Sequence, residues 1–158
     1  MQDVQDRGKL KKQKLMITFR QITTEEAKAI REHALRPTYP LDWHHDSFHI
    51  GAFDEDSLVA ICSVYHENPQ QQLEQRAWRI RSIATLESHQ KQGIGRQLVE
   101  KCIDYVRSKK GVFIWSNGHT SVGPFYEKCG FSLFGSKDSL PWIGAPLFYK
   151  KTISLVDE

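Results

Sequence analysis

The run RAWRIRSIATL, residues 76–86, reads as a β-strand, and only a few residues later the hydrophobic period changes to that of a helix. From Gly95 to Ser108 the apolar residues Leu98, Val99, Cys102, Ile103 and Val106 return at helical spacing, with charged residues between them, and Gly111 follows as a stop signal. The join between the two is LESHQKQGIGRQL, with Gly93 and Gly95 one residue apart. A strand, a tight glycine turn and a helix with one buried face therefore follow one another directly. That sequence of elements demands a layered α/β arrangement. The glycines have a second capacity. Without Cβ atoms the chain can tighten and turn several N–H groups toward one point, where the unpaired first-turn amides of the helix add partial positive charge. Such a nest suits a pyrophosphate. On spacing alone, a plain turn and a phosphate cradle explain the pair equally well.

The flanking sequence supplies the rest of the sheet. Met16 to Gln21 alternates as a strand, and TTEEAKAIREHALRP offers a helix N-cap at Thr23 or Thr24, acids in the first turn and an end near Pro37. HIGAF and SLVAICSVYHE, separated by the turn-forming DED, read as a hairpin, and the Gln-rich NPQQQLEQ leads into the strand at residues 76–86. Beyond the central helix, VFIWSN is a short strand, SVGPFYEKCG a helix ended by Gly130, and FSLFG and APLFYKKTI a closing strand pair. The ligand site of such a mixed sheet belongs at a strand end beside a helix N-terminus, which is where the glycines fall.

Composition narrows the partners. A chain of 158 residues with 39% hydrophobic content makes one domain with a core of its own. The formal charge of +3 admits an anionic ligand and falls short of the dense basic patch that nucleic acid calls for. Cys62, Cys102 and Cys129 are scattered, with no CxxC pair, so they indicate neither a zinc site nor a disulfide framework and fit a reducing cytoplasm. The start, MQDVQDRGKLKKQKL, lacks the apolar middle of a signal peptide, and residues 1–15 are expected to be a flexible leader outside a single domain of residues 16–158. If the basic GKLKKQK in that leader bound nucleic acid, binding would be steeply salt-dependent.

Two motifs in order carry a resemblance. Gln90-Lys91-Gln92-Gly93-Ile94-Gly95, followed by Arg96, resembles the pyrophosphate loop Gln/Arg-x-x-Gly-x-Gly/Ala of the GCN5-related N-acetyltransferase (GNAT) superfamily. Phe125-Tyr126-Glu127-Lys128-Cys129-Gly130-Phe131 is similar to that superfamily's downstream signature. The order of elements from Met16 onward is also that of the superfamily. The resemblance implies an α/β fold with a mixed, mostly antiparallel central sheet flanked by helices, and acetyl-CoA in the cleft between the fourth and fifth strands. It implies that Ile83, Ala84 and Thr85 offer backbone groups to the pantetheine arm, that Gln90, Lys91, Gln92, Gly93, Ile94, Gly95 and Arg96 bind the pyrophosphate, and that Asn117 touches the pantetheine. Tyr126 would protonate the leaving thiolate, and a strand N–H, of Ala84 or Thr85, would polarise the acetyl carbonyl.

The implied reaction is acetyl transfer from acetyl-CoA to a primary amine of a small molecule or peptide by direct attack, with neither membrane nor nucleic acid as partner and with a homodimer permitted. A non-catalytic module that binds coenzyme A as a sensor would need the loop but not the Tyr126 hydroxyl. Some relatives carry a glutamate base on the fourth strand, where this chain reads Trp78-Arg79-Ile80-Arg81, so a base acting through water, or none, is expected. Arg79 and Arg81 on that strand face either meet a substrate acid or lie in solvent. His45-Asp46-Ser47-Phe48-His49 resembles HExxH, yet Asp replaces Glu and a strand beginning near His49 breaks the required helical spacing, so no metal is expected. Trp43, His44 and His45 fall in a loop that would shape an acceptor pocket.

Overall fold

The computed structural model describes residues 16–34, 46–67, 76–118, 123–136 and 147–152. The expected leader, the Gln-rich loop, and Trp43, His44 and His45 lie outside those residues. In chain order the elements are β1 (Ile17–Gln21), α1 (Thr24–Ala34), β2 (Ser47–Asp54), β3 (Ser57–His66) and β4 (Ala77–Thr85), then a 3₁₀ turn (Glu87–His89). They continue as α2 (Ile94–Ser108), β5 (Phe113–Gly118), α3 (Gly123–Lys128), β6 (Ser132–Ser136) and β7 (Leu147–Thr152). The strands form one seven-stranded sheet in the order β1-β2-β3-β4-β5-β7-β6, in which the last strand inserts between β5 and β6. Neighbours run antiparallel except for β4 and β5, which are parallel. No helix among the described residues is long and apolar enough to cross a membrane.

Helix α1 begins where the sequence predicts, through a reciprocal cap. The Glu26 N–H donates to Thr23 Oγ1 at 3.1 Å and the Thr23 N–H donates back to Glu26 Oε1 at 3.0 Å. Hydrogen bonds from Arg20, first, and from the Thr23 backbone hold the Glu26 carboxyl down to about 2, so it stays ionised beside the helix start.

Helix α2 lays its apolar stripe on one face of the sheet. Leu98, Val99, Cys102 and Val106 are fully buried against Ile50, Cys62, Val64, Trp78 and Ile80. Each such side chain stabilises the fold by about 1.5–3 kcal/mol. The helix stops through Lys110 in the left-handed region, φ 62°, one residue before the glycine that marks its end in the sequence. Helix α1 covers the opposite face, where Ala27 and Ile30 meet Phe53, Ile61 and Ala84. Cys62, Cys102 and Cys129 are buried free thiols, and burial, then the neighbouring Cys62, pushes Cys102 well up.

Two irregularities of β4 position the site. Ser63 pairs with Ser82 and Val64 with Ile80, so Arg81 is an extra residue with no opposite number on β3. This bulge resets the alternation. Trp78 and Ile80 face α2, and beyond the bulge it is Ile83 that does so, while Ala84 faces α1. The pairing of β4 with β5 is also short. It joins Ala77 to Phe113, Trp78 to Ile114 and Arg79 to Trp115, and then ends. From Ile80 onward the two strands part, leaving a fork.

Removing the cap hydroxyl alone tests the local account of α1. Thr23→Ala should lower unfolding free energy by about 1 kcal/mol in denaturant titrations without changing the slope.

Candidate active site

The cradle at the head of α2 is built from backbone. Lys91 and Gly93 both take left-handed angles, φ 63° and 80°, and curl the loop between the 3₁₀ turn and the helix. The helical ladder begins with the Gln97 N–H donating to Gly93 O at 3.2 Å, so the amides of Ile94, Gly95 and Arg96 precede it at the positive end of the helix dipole. The two glycines serve different needs. Gly93 supplies the left-handed turn, with open space around it, whereas a Cβ at Gly95 would meet the Phe125 ring at 3.2 Å.

A cleft of about 490 Å³ opens over this loop. Thr85, Gln90, Lys91, Gly93, Ile94, Gly95 and Arg96 line it, joined by Phe125 and Lys128 of α3. Lys91 and Arg96 are exposed, and Arg96 approaches Glu100 at 3.5 Å. Ile94 reaches back into the core, which fixes the loop to the helix. The Gln90 side chain donates to Thr85 O at 3.1 Å and ties the loop to the end of β4. His89 joins the cleft wall, clamped by Asp54 Oδ2 on Nε2 at 2.8 Å and Ser88 Oγ on Nδ1 at 2.7 Å. Since a carboxylate only accepts, Nε2 donates.

Of the other sequence-selected residues, Gln92 is exposed on the loop, and Ile83 packs beside Phe125 on the α2 face. Ala84 turns to the α1 face. Asn117 lies on β5 opposite Phe148.

At the crotch of the fork three polar groups meet. Ser116, the first β5 residue past the pairing, donates through Oγ to Ile80 O at 3.3 Å. The Tyr126 hydroxyl lies 2.7 Å from the same Oγ. Ser116 has one proton, and the carbonyl takes it, so in this arrangement Tyr126 donates to Ser116. Both side chains are buried. Helix α3 holds Tyr126 there between Phe125 and Phe131, with ring centroids 5.4 and 5.3 Å away, and ends through Gly130, φ 88°, as the sequence predicts.

The opposite face of β4 carries Arg79 and Arg81, and these are not solvated. Arg79 Nη1 reaches Glu67 Oε1 at 2.9 Å, while Arg81 Nε and Nη2 reach the two oxygens of the same carboxylate at 2.7 and 2.6 Å. Arg79 also lies over the Trp115 ring, 4.7 Å from its centroid. Burial pushes the Glu67 carboxyl up, but the hydrogen bond from Arg81 and the charges of both guanidiniums outweigh it and hold the group below the usual carboxylate range. Farther along this face His49 sits inside strand β2, with Nδ1 2.7 Å from Ser63 Oγ.

A split between two parallel strands, a glycine-built cradle at the head of the following helix, and a tyrosine at the crotch of the split define an acyltransferase. Residues 16–131 match the acetyltransferase (GNAT) family, and the chain belongs to that family. An uncharacterised N-acetyltransferase, YitI of Bacillus subtilis (strain 168), is 30% identical over 146 residues, which cover 87% of this chain and 97% of that protein. Among solved structures, the GNAT family N-acetyltransferase YhbS of Escherichia coli in complex with CoA superposes with a TM-score of 0.70 at 16% identity, covering 90% of this chain and 84% of that one. A Bacillus subtilis acetyltransferase in complex with CoA gives 0.65 at 22% identity, over 89% and 100% of the two chains. The ribosomal-protein-S18-alanine N-acetyltransferase of Escherichia coli gives 0.68 at 17%, over 88% and 95%.

Sequence reasoning missed Ser116, Phe125, His89 and Glu67. Phe125 stood inside the quoted aromatic segment, but the other three carried no local signal.

Glu67 generates a pH prediction. A carboxyl whose folded value is depressed contributes stability above its unfolded value, near about 4.3, and loses it as pH falls through the folded value. Glu67→Gln should therefore destabilise the protein at pH 7 and flatten the decline in stability below about pH 5. Urea midpoints measured across that range check both effects.

Proposed function

We propose that this acetyltransferase moves an acetyl group from acetyl-CoA to a primary amine of a small molecule or peptide by direct attack of the amine on the thioester. The observation that carries the reading is the Tyr126–Ser116–Ile80 contact at the fork, a buried phenol where two strands separate and backbone is free to meet a ligand. The two fold neighbours solved with CoA give independent support for that coenzyme.

In this reading the pyrophosphate takes the amides ahead of Gln97, and Gln90, Lys91, Gln92, Gly93, Ile94, Gly95 and Arg96 form its cradle, with charge from Lys91 and Arg96 as a screened supplement. The pantetheine arm runs along the unpaired edge of β4 past Thr85, Ala84 and Ile83, with Asn117 across the fork. Its direction brings the thioester toward Ile80 and Ser116. A strand N–H along this edge polarises the acetyl carbonyl.

Tyr126 then serves as the acid. As the carbon–sulfur bond breaks, negative charge gathers on sulfur, and a phenol can supply a proton without prior ionisation. Ser116 assists from behind. Its hydroxyl can turn from Ile80 O to the tyrosine oxygen, so the phenolate left by proton transfer gains a hydrogen bond as it forms.

Two variants test the assignment. Gly95→Glu forces the Phe125 ring and sets a carboxylate where phosphate binds, so CoA affinity measured by calorimetry should collapse in a folded protein. Unchanged affinity would return the glycines to a plain turn. Tyr126→Phe keeps the ring, so coenzyme affinity should hold while kcat, followed by thiol release across an amine panel, falls about 10²-fold with KM little altered. CoA binding without thiol release by the unmodified protein would leave a coenzyme-binding module.

A further inference from the structure

The described residues hold four buried polar side chains, His49, Ser63, Ser82 and Ser116, exposed by 6%, 0%, 3% and 2%. Ser116 belongs to the tyrosine contact on the α2 side of the fork. The other three form a separate row. His49 on β2 pairs directly with Ser63 on β3, and Ser63 pairs directly with Ser82 on β4. Direct cross-strand partners share a face. That face is the α1 side, because the neighbours Phe48, Ile50, Cys62, Val64 and Ile83 all pack toward α2. The row starts beside the Arg81 bulge, on the stretch of β4 that has left β5, and it ends at His49, which lines an open cavity of about 580 Å³ at the β1–α1 corner.

A buried row of hydroxyls ending in an imidazole has a physical cost, since each group gives up water and must find its partner inside the sheet. Three apolar side chains would pack the same positions more favourably. The placement gives the row a use. An amine attacking the thioester must lose a proton, and β4 itself carries no carboxylate. Glu67, paired with Arg79 and Arg81 of this strand, is held ionised by the two guanidiniums, which also make it a weak base.

We propose that Ser82, Ser63 and His49 relay the proton of the attacking amine away from the fork, with the His49 imidazole as its acceptor. The inference rests on the acetyl-transfer reading above. As nitrogen bonds to the carbonyl carbon and sulfur departs, the amine gives a proton to the Ser82 hydroxyl. Ser82 passes its own proton to Ser63, and Ser63 passes its own to His49 Nδ1 across the 2.7 Å contact, leaving imidazolium. Ser63 and Ser82 stand about 4.5–5.5 Å apart at Cβ, a gap that hydroxyl rotation or one bridging water spans. Sulfur takes the Tyr126 proton. The imidazolium releases its proton to the cavity and the phenolate regains one from solvent, so the protein returns to its starting state and the products are amide and thiol. Acid and base thus work on opposite faces of one sheet, through the fork.

Among the described residues, the groups facing His49 include Ser63 and Tyr65 of β3, the latter edge-on with centroids 5.7 Å apart, and the charged Arg20, Glu25 and Glu26 of the cavity. Arg20 and Glu26 pair with each other at 2.8 Å, so their charges largely cancel beside the open cavity.

The experiment compares kcat at saturating amine from pH 5 to 9 for the unmodified protein, His49→Gln and Ser63→Ala, all with the same amine so that its own ionisation is common to every profile. An imidazole must be neutral to accept the proton, so the unmodified protein should lose rate on the acid side. His49→Gln should be about 10²-fold slower with that acid limb gone, while CoA affinity stays unchanged. Ser63→Ala, a smaller change within the same row, should show the same loss of the limb and decides the matter if His49→Gln does not fold. A folded variant that retains the rate and the limb overturns the relay and leaves the histidine a structural group. If the unmodified protein releases no thiol with any amine, the acetyl-transfer reading fails first and the relay falls with it.

Discussion

β4 and β5 share three residue pairs and then separate, and the proposed coenzyme site, the tyrosine and the polar row are all arranged around that separation. Parallel strands normally continue to pair as long as their backbones stay in register. Here β4 gains an extra residue at Arg81, two residues after the last pair, and the added twist of a bulge carries its second half away from β5. Ser116 keeps the crotch from opening further by bonding Ile80 O across it. The result is a strand edge left unpaired with β5 inside a packed sheet. Elsewhere that would be a defect, but here it is where an extended thioester arm can be met by main chain.

The cradle depends on packing rather than on charge. Lys91 and Arg96 are exposed, and surface charges of that kind contribute little once salt screens them. The amides at the head of α2 are fixed in space because Ile94, Leu98, Val99, Cys102 and Val106 anchor the helix to the sheet. Gly95 then lets Phe125 approach, which docks α3 and sets Tyr126 at the fork. A core stripe, a glycine and an aromatic ring thus form one chain of contacts from hydrophobic burial to the placement of a hydroxyl.

Period and punctuation made most of this fold legible in the sequence. The α2 stripe, the helix cap at Thr23 or Thr24, the hairpin around Glu55 and the helix end at Gly130 are all local patterns, and each appears where expected, the cap falling on Thr23. The loop motif was legible for the same reason, although spacing could not say that Gly93 serves a torsion and Gly95 a close approach. What stayed hidden depends on register between distant strands. Ser116 meets Ile80 across 36 residues and His49 meets Ser63 across 14, and nothing local marks either serine as special. The arginines of β4 read as meeting either a substrate acid or solvent because their partner, Glu67, stands 12 and 14 residues away in the sequence. The bulge at Arg81 is invisible to composition, yet it decides which side chains face each helix.

The central claim is that the fork seats the thioester against Tyr126 while the loop holds the pyrophosphate. A crystal structure of the protein with coenzyme A tests it most directly. The pyrophosphate should lie over residues 91–96 and the sulfur within hydrogen-bond reach, about 3.5 Å, of the Tyr126 hydroxyl beside Ser116. A coenzyme bound with its pyrophosphate elsewhere, or with its sulfur remote from the fork and β4 and β5 closed over it, would contradict it.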